Sequence, residues 1–575
     1  MYYPYLLKKE PNTFVVQFGG GISTAVALKE GSKHVTVAEG NPAVLTAFRE
    51  DKGLRDFTGD ILNNPKITVI DYDGRLYVRH TPNAYDVVDL SLADSAGLSS
   101  PGGFAIVEKF SYTREAMANY MRALKPDGIL SVTLWNKEEP PKSVLKLYAT
   151  MAAAARDVGG PDISKNFYVA SAYLSTATVL YKRDGFTPDE IAQLNKHSKA
   201  MSFDEIYYPG IKVDTSDLAQ VLQDYRDQFF YAGPPPDPTA PQDEKEPHDK
   251  PPPEASAAAA GADAAKADDS TPPVPKVPAT TLGRLAWHFH VHGGWQKVAD
   301  DYVFDTRELT NHQPYFAAYI KVKDLLKFLD RLELVQDEWG YILLWATLGI
   351  ASILAFMLVL FPLIFGWRTI FSRYPGKAGT MLYFLCLGLG YIIVEVGMIA
   401  HFVLALSNPT VSASVLITGM LVFSGIGSFV SERFLDRARS VMPKIFFAIF
   451  VILAFYAFAI DYALDWIGAL PYVLRIALCL ALLAPPAFLM GFPMPTGMTT
   501  LGRLGKDHMF LWAWGVNGCF SVIGAALVPI VATSFGLPAV VLLGAAAYLI
   551  ALPAFFSVLK PLPSGHVGVE RRAAA

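Results

Sequence analysis

Between residues 341 and 559 the chain carries seven stretches almost free of charge, at 341–367, 381–406, 411–430, 445–460, 473–490, 509–535 and 539–559. An α-helix rises about 1.5 Å per residue, so roughly 20 apolar residues cross the ~30 Å hydrocarbon layer of a bilayer. Backbone in hydrocarbon must satisfy its own hydrogen bonds, so such stretches can fold only as a helical bundle. The stretch 445–460 reaches full length only by taking in Asp461 or the residues around Pro443. The spacing predicts seven spans, or six and a re-entrant segment. A lipid bilayer is therefore the first partner that the chain requires.

The remaining composition narrows the function classes. Lys and Arg number 49 against 53 Asp and Glu, and a net charge of -4 leaves no basic footprint for nucleic acid. Cys386, Cys479 and Cys519 all fall inside predicted spans. Neither a disulfide framework nor a Cys-based zinc site is expected, and no metal. No signal-peptide pattern opens the sequence, since Met1 to Tyr5 runs into Lys8, Lys9 and Glu10. Insertion is expected to be driven by the C-terminal helices.

Four regions precede the tail. Residues 1–232 alternate strand-like and helix-like runs. Residues 233–280 are rich in Pro, Ala and charge and too poor in bulky apolar groups to offset the entropy of ordering, so a disordered linker is expected. Residues 281–340 connect to the membrane domain at 341–560, and 561–575 is a basic tail. Within 1–232, strands are predicted at 14–18, 34–38, 67–70, 85–90 and 128–135, with a late pair at 167–170 and 176–182. Helices are predicted at 23–29, 42–51, 114–124 and 144–156. That alternation predicts βαβ units and a mostly parallel, Rossmann-like α/β sheet.

Gly19-Gly20-Gly21 follows the first strand and opens a helix. A glycine turn there exposes backbone N–H groups and lets a ligand approach closely. Glu39 ends the next strand about 20 residues on, where a carboxylate can accept both hydroxyls of a ribose. Asp73-Gly74, after the third strand, suits the rim of an adenine pocket. Together they predict a nucleoside-binding site. The plainer reading is a glycine turn required for helix–sheet packing.

These residues resemble the membrane-bound members of the spermidine synthase superfamily, built on the class I S-adenosylmethionine-dependent transferase fold. The resemblance runs through Val15-Val16-Gln17-Phe18-Gly19-Gly20-Gly21, Val37-Ala38-Glu39-Gly40-Asn41-Pro42 and Asp73-Gly74-Arg75. It continues in Tyr85-Asp86-Val87-Val88-Asp89-Leu90-Ser91, Glu108, Tyr112-Thr113 and Leu124-Lys125-Pro126-Asp127-Gly128. In the membrane half it takes in Leu387-Gly388-Leu389-Gly390, Glu395, Phe423-Ser424-Gly425-Ile426-Gly427-Ser428, Met490-Gly491-Phe492-Pro493-Met494-Pro495 and Trp512-Ala513-Trp514-Gly515-Val516-Asn517-Gly518. The resemblance implies S-adenosylmethionine or its decarboxylated form as substrate, bound by Gly19–Gly21, Glu39, Asp73 and Gly74. It implies aminopropyl or methyl transfer to an amine-like, polyamine-like or lipophilic acceptor.

Three departures bear on the chemistry. Where the family has an Asp-x-x-Asp pair, Ser91 stands at the first position and Asp94 at the second. Serine cannot act unaided as the same base, which leaves Asp94 and Tyr112 as candidates for substrate contact; a helix cap and a core tyrosine are their plain alternatives. Ile22 replaces the Asp that follows the glycine turn in soluble spermidine synthases. Losing that charge removes repulsion toward the carboxylate of ordinary S-adenosylmethionine. The strand domain that those enzymes place over the polyamine site has no counterpart before the first core strand. The expectation is a truncated start or a separately encoded membrane subunit.

Two polar groupings remain. Read as a strand, His288-Phe289-His290-Val291-His292 puts three imidazoles on one face; without a completing carboxylate or cysteine it reads as a polar face near the membrane entry. Asp305-Thr306-Arg307 and residues 311–316 resemble the junction in the same relatives. In the second span, Glu395 and His401 are six residues apart and do not share a helix face. With Asn517 they mark a polar cavity or interhelical hydrogen bonds.

Lys and Arg follow spans one, three, five and seven and are missing from the loops after two, four and six. The positive-inside rule then makes the C-terminus cytoplasmic and, with seven spans, puts residues 1–232 outside. A cofactor of cytosolic origin argues instead for a cytoplasmic domain on a bacterial inner-membrane protein, and that placement is adopted as the expectation. The alternative function is a non-catalytic binding or transport protein with a degenerate transferase-like domain.

Overall fold

The computed structural model describes residues 1–92, 108–136, 141–172, 175–215, 218–230, 279–329, 339–371 and 375–561. Eight strands form one sheet: β1 (Asn12–Val15), β2 (His34–Ala38), β3 (Ile67–Ile70), β4 (Tyr85–Ser91), β5 (Leu124–Trp135), β6 (Phe167–Ser171), β7 (Thr176–Lys182) and β8 (Asp204–Tyr207). Their order is β3-β2-β1-β4-β5-β7-β6-β8. The first five are parallel; β7 runs antiparallel to β5 and β6, and β8 antiparallel to β6. The predicted strand pair is thus present. Sequence reading missed β8, whose Asp204-Glu205 start lacks an apolar pattern.

Helices cover both faces, so the inner strands are apolar on both sides. They include α1 (Ile22–Lys29), α2 (Pro42–Glu50), α3 (Gly74–Tyr77), α4 (Arg114–Ala123), α5 (Ser143–Gly159), α6 (Pro188–Ala200) and α7 (Ala279–His292). Local chemistry sets their starts. Asn41, Asp73 and Thr113 each accept a backbone N–H at the first turn of α2, α3 and α4. Thr187 and Glu190 form a capping box on α6.

The connecting segment opens inside the core of the α/β domain. Trp287 of α7 is fully buried, its ring 4.7 Å from Phe167 and 5.5 Å from Tyr207. Residues 288–292 are helical, which corrects the strand reading of the three histidines. On a helix His288 and His292 stack at 4.3 Å, whereas His290 points away and packs 4.8 Å from Trp295. Burial, with Arg156 nearby, lowers the His290 imidazole to about 3, so it is neutral.

Among the described residues seven long helices follow: α8 (Trp339–Phe371), α9 (Lys377–Leu406), α10 (Pro409–Ser431), α11 (Ala438–Ile467), α12 (Tyr472–Met490), α13 (Phe510–Phe535) and α14 (Leu537–Val558), with the shorter helix Pro493–Arg503 between α12 and α13. Among the described residues six helical runs are long and apolar enough to cross a membrane, because 409–467 is one run of 59 residues. Straight, that run would extend about 88 Å. Its two ends nevertheless meet the same turn of α9: Ser412 donates to the Ile399 carbonyl and Asp461 pairs with His401. The chain therefore doubles back through the 3-10 turns at Glu432–Arg437.

Glycines let these helices touch backbone to backbone. A side chain at Gly388 would strike the Asn517 carbonyl, one at Gly427 that of Phe488, and one at Gly491 that of Ser424. Asn517 donates to the Phe384 carbonyl (3.2 Å) and Ser521 to that of Gly388 (3.2 Å), tying α13 to α9.

Candidate functional site

In a doubly wound sheet, ligands bind outside the carboxyl ends of the strands, where the strand order reverses. The order here reverses between β1 and β4. Gly19-Gly20-Gly21 leaves β1 with φ of +52° at Gly19 and +78° at Gly21, the left-handed region open to glycine. Glu39 leaves β2 and Asp73 follows β3, so the three predicted elements converge. Glu39 is 2% exposed, and its carboxylate accepts from Gly19 N–H (3.0 Å) and Asn41 N–H (2.9 Å). It holds the glycine turn in shape, and each oxygen keeps a second lone pair for a hydroxyl.

Asp73 accepts from the Arg75 N–H (2.8 Å) and faces the Arg75 guanidinium at 3.4 Å. Gly40 packs against Asp73, and a side chain at Gly74 would strike the Val16 carbonyl. Gly74 is therefore required by the close crossing of the α3 entry over β1. Gly20 and Ile22 are exposed, so this flank of the crevice opens to solvent.

Ser91 ends β4 and is buried; its hydroxyl donates to Asp89 Oδ1, and its carbonyl accepts from the Ser23 hydroxyl (3.3 Å). Asp89 is fully buried and leaves Oδ2 without a hydrogen-bond partner. Burial raises its carboxyl above the ordinary range, against the pull of Ser91, the nearby Met1 ammonium and Ser23. The sequence reading passed over this residue. Its signal was a second carboxylate after Asp86, placed between the apolar Val88 and Leu90 and on the same face as Ser91 two residues on. Asp94 lies outside the described residues. Tyr112 is buried, its ring 5.4 Å from Phe316 of the connecting segment.

The membrane residues separate. His401 is fully buried and pairs with Asp461 of α11 (2.6 Å), which also meets His312 (2.7 Å). Glu395 is half-buried and faces elsewhere, beside Tyr391, whose hydroxyl lies 3.4 Å from Ser424. No group of three or more metal-binding side chains occurs among the described residues.

The fold is a doubly wound α/β domain joined to a bundle of membrane-length helices. No protein-family model matches the sequence. Polyamine aminopropyltransferase 1 of Streptomyces coelicolor is 26% identical over 155 residues, 26% of this chain and 27% of that protein. The chain thus spans about a quarter of the length of the curated relative it matches. A crystal structure of spermidine synthase with the transition-state analogue AdoDATO and one of spermidine synthase from Thermotoga maritima are each 18% identical. Each comparison covers 36% of this chain and 64% of the other, with a TM-score of 0.24. Over about a quarter of its length the chain is therefore similar to a polyamine aminopropyltransferase.

Proposed function

We propose that this chain is a membrane-tethered alkyl transferase that passes an aminopropyl or methyl group to an amine-like acceptor. The donor is decarboxylated S-adenosylmethionine or S-adenosylmethionine itself. The convergence of Gly19, Glu39 and Asp73 at the carboxyl ends of β1 to β3 carries this reading, because amides and carboxylates there suit an adenosine. The acceptor nitrogen forms the new C–N bond as the C–S bond breaks. Sulfur keeps the electron pair and leaves as a neutral thioether, and the nitrogen sheds a proton. Asp89 is the base in this reading: a buried carboxyl of raised pKa, joined to Ser91, takes up a proton more readily than an exposed one. Catalysis is otherwise positioning, since the leaving group is already good. Ile22 leaves no charge to reject a carboxylated donor.

Calorimetry of the full chain in detergent with each donor tests this reading. Residues 1–232 alone are a poor sample, because α7 completes the core. Binding of at least one donor is expected, weakened about tenfold by Glu39→Gln, roughly 1.4 kcal/mol. Binding of neither donor overturns the reading.

A second reading, a ligand-sensing or transport protein, is favoured by the charge distribution. The α/β domain contacts the bundle end whose turns, at 407–408, 468–471 and 536, hold no Lys or Arg. Lys377, Arg433, Arg437, Arg439, Lys444, Arg503, Lys506 and Lys560 gather at the opposite end.

A further inference from the structure

The loops that close the ligand crevice are also the loops that seat on the membrane helices. Directly beside Asp73, the Tyr72 hydroxyl donates to the Gly468 carbonyl (2.7 Å) and Arg75 to that of Leu404 (2.8 Å). Arg79 meets the Asp465 carboxylate at 2.8 Å, and Leu76 packs against Gly468. Beyond β4, Phe110 is buried in the hydrophobic core of the bundle, with the Arg75 guanidinium 5.6 Å from its ring. The carboxyl edge of the sheet therefore faces the helix ends.

The depth of this seam can be read from its neighbours. Tyr462 (75% exposed) and Trp466 (62%) flank Asp465, and Tyr472 (47%) follows Gly468. Outward tyrosine and tryptophan at the end of a span mark the headgroup level of a bilayer. One helical turn from Leu404, His401 is fully buried and leaves Nε2 without a partner. A buried polar nitrogen without a partner is costly, which favours a polar ligand group at this depth.

Resting on the transferase reading above, we infer that the acceptor is an amphiphile whose amine sits at headgroup depth and enters through the seam between the α/β domain and the ends of α9 and α11. The donor enters from the solvent-open flank at Gly20 and Ile22. The covalent step is the one written above, with the amphiphile supplying the nitrogen.

The test uses the full chain in phosphatidylcholine nanodiscs and hexadecylamine carrying a diazirine near its amine. Photolabel is expected on 72–79, Phe110 or 401–406, about fivefold above that from a matched hexadecyl probe lacking the amine. Asp465→Asn, which removes the seam's carboxylate, should lower this labelling while donor binding, read by calorimetry, persists. Labelling spread over the lipid-facing sides of α8 and α10, equal for both probes, overturns the inference. Transfer from labelled decarboxylated S-adenosylmethionine is then compared for hexadecylamine and putrescine. A kcat/KM about tenfold higher for hexadecylamine is expected. Transfer to putrescine alone, with the seam unlabelled, leaves the transferase reading standing and sinks the seam. A labelled seam without transfer to either amine leaves an amphiphile site at the seam but overturns both the transferase reading and the acceptor role that rests on it. An unlabelled seam without any transfer overturns both.

Discussion

Asp89 and Ser91 lie two positions apart on one face of β4, so the proposed base moves from one to the other without leaving that face. Side chains on a strand repeat with period two, so a carboxylate at 89 points to the same side as residue 91. The family pattern directs attention to 91 and 94, and a sequence aligned on that pattern treats Asp89 as one more core residue. Burial and the free Oδ2 single it out only in three dimensions. In the transferase reading, Asp89→Asn should lower kcat about a hundredfold while donor affinity persists. The base works deprotonated, so activity should fall as pH drops through its raised pKa, placing the acid limb above the usual carboxylate range. Full activity in D89N, or an unshifted limb, would remove Asp89 from the chemistry. Glu39 differs in kind, being legible from position alone, since the end of the second strand in such a sheet always borders the crevice.

At the scale of elements, patterning predicted the parallel strands and the late strand pair, missed β8 and misjudged one helix. The histidines at 288, 290 and 292 alternate like a strand, but the apolar residues Leu282, Leu285, Ala286 and Trp287 repeat at helical spacing and decide the outcome. Glu395 and His401 were correctly held apart by helical geometry, yet the partners of His401 come from 60 residues on and from the connecting segment. Asp461, first weighed only as a way to lengthen a short span, bridges His401 and His312. Hydrogen bonding to Asp461 raises the His312 imidazole above its ordinary value, opposed by partial burial and helped by Glu115. A raised folded-state value means that His312 contributes its full stabilisation below pH about 6.5 and loses it as pH rises through the folded value. Thermal melts of the full chain should therefore lose stability on passing from pH 6 upward, and His312→Gln should flatten that slope. An identical slope in both proteins would detach this contact from the stability of the junction.

For the whole molecule, the decisive fact is which end of the bundle bears the α/β domain. The sequence alone poses this as a parity count over spans; contacts at Leu404, Asp465 and Gly468 fix it by geometry. Short basic loops remain on the cytoplasmic side, so the charge pattern places the domain outside, whereas a donor made in the cytosol requires it inside. Reporter fusions at residue 1 and after residue 560 separate the two. The transferase reading requires residue 1 to report from the cytosol; a periplasmic signal replaces it with the sensing or transport reading.

Composition and periodicity by themselves determined the division into an α/β domain and a membrane bundle, the parallel sheet with its glycine turn, and the acidic residue on the second strand. These are local properties, since hydrophobic runs, strand alternation and caps are written in neighbouring residues. Only tertiary structure decided that 281–292 belongs to the core, that 409–467 doubles back, that Asp89 is buried with a free oxygen, and that the crevice faces the helix ends. Each of those depends on which distant surfaces meet, and pairing between residues hundreds of positions apart leaves no periodic trace in a single chain.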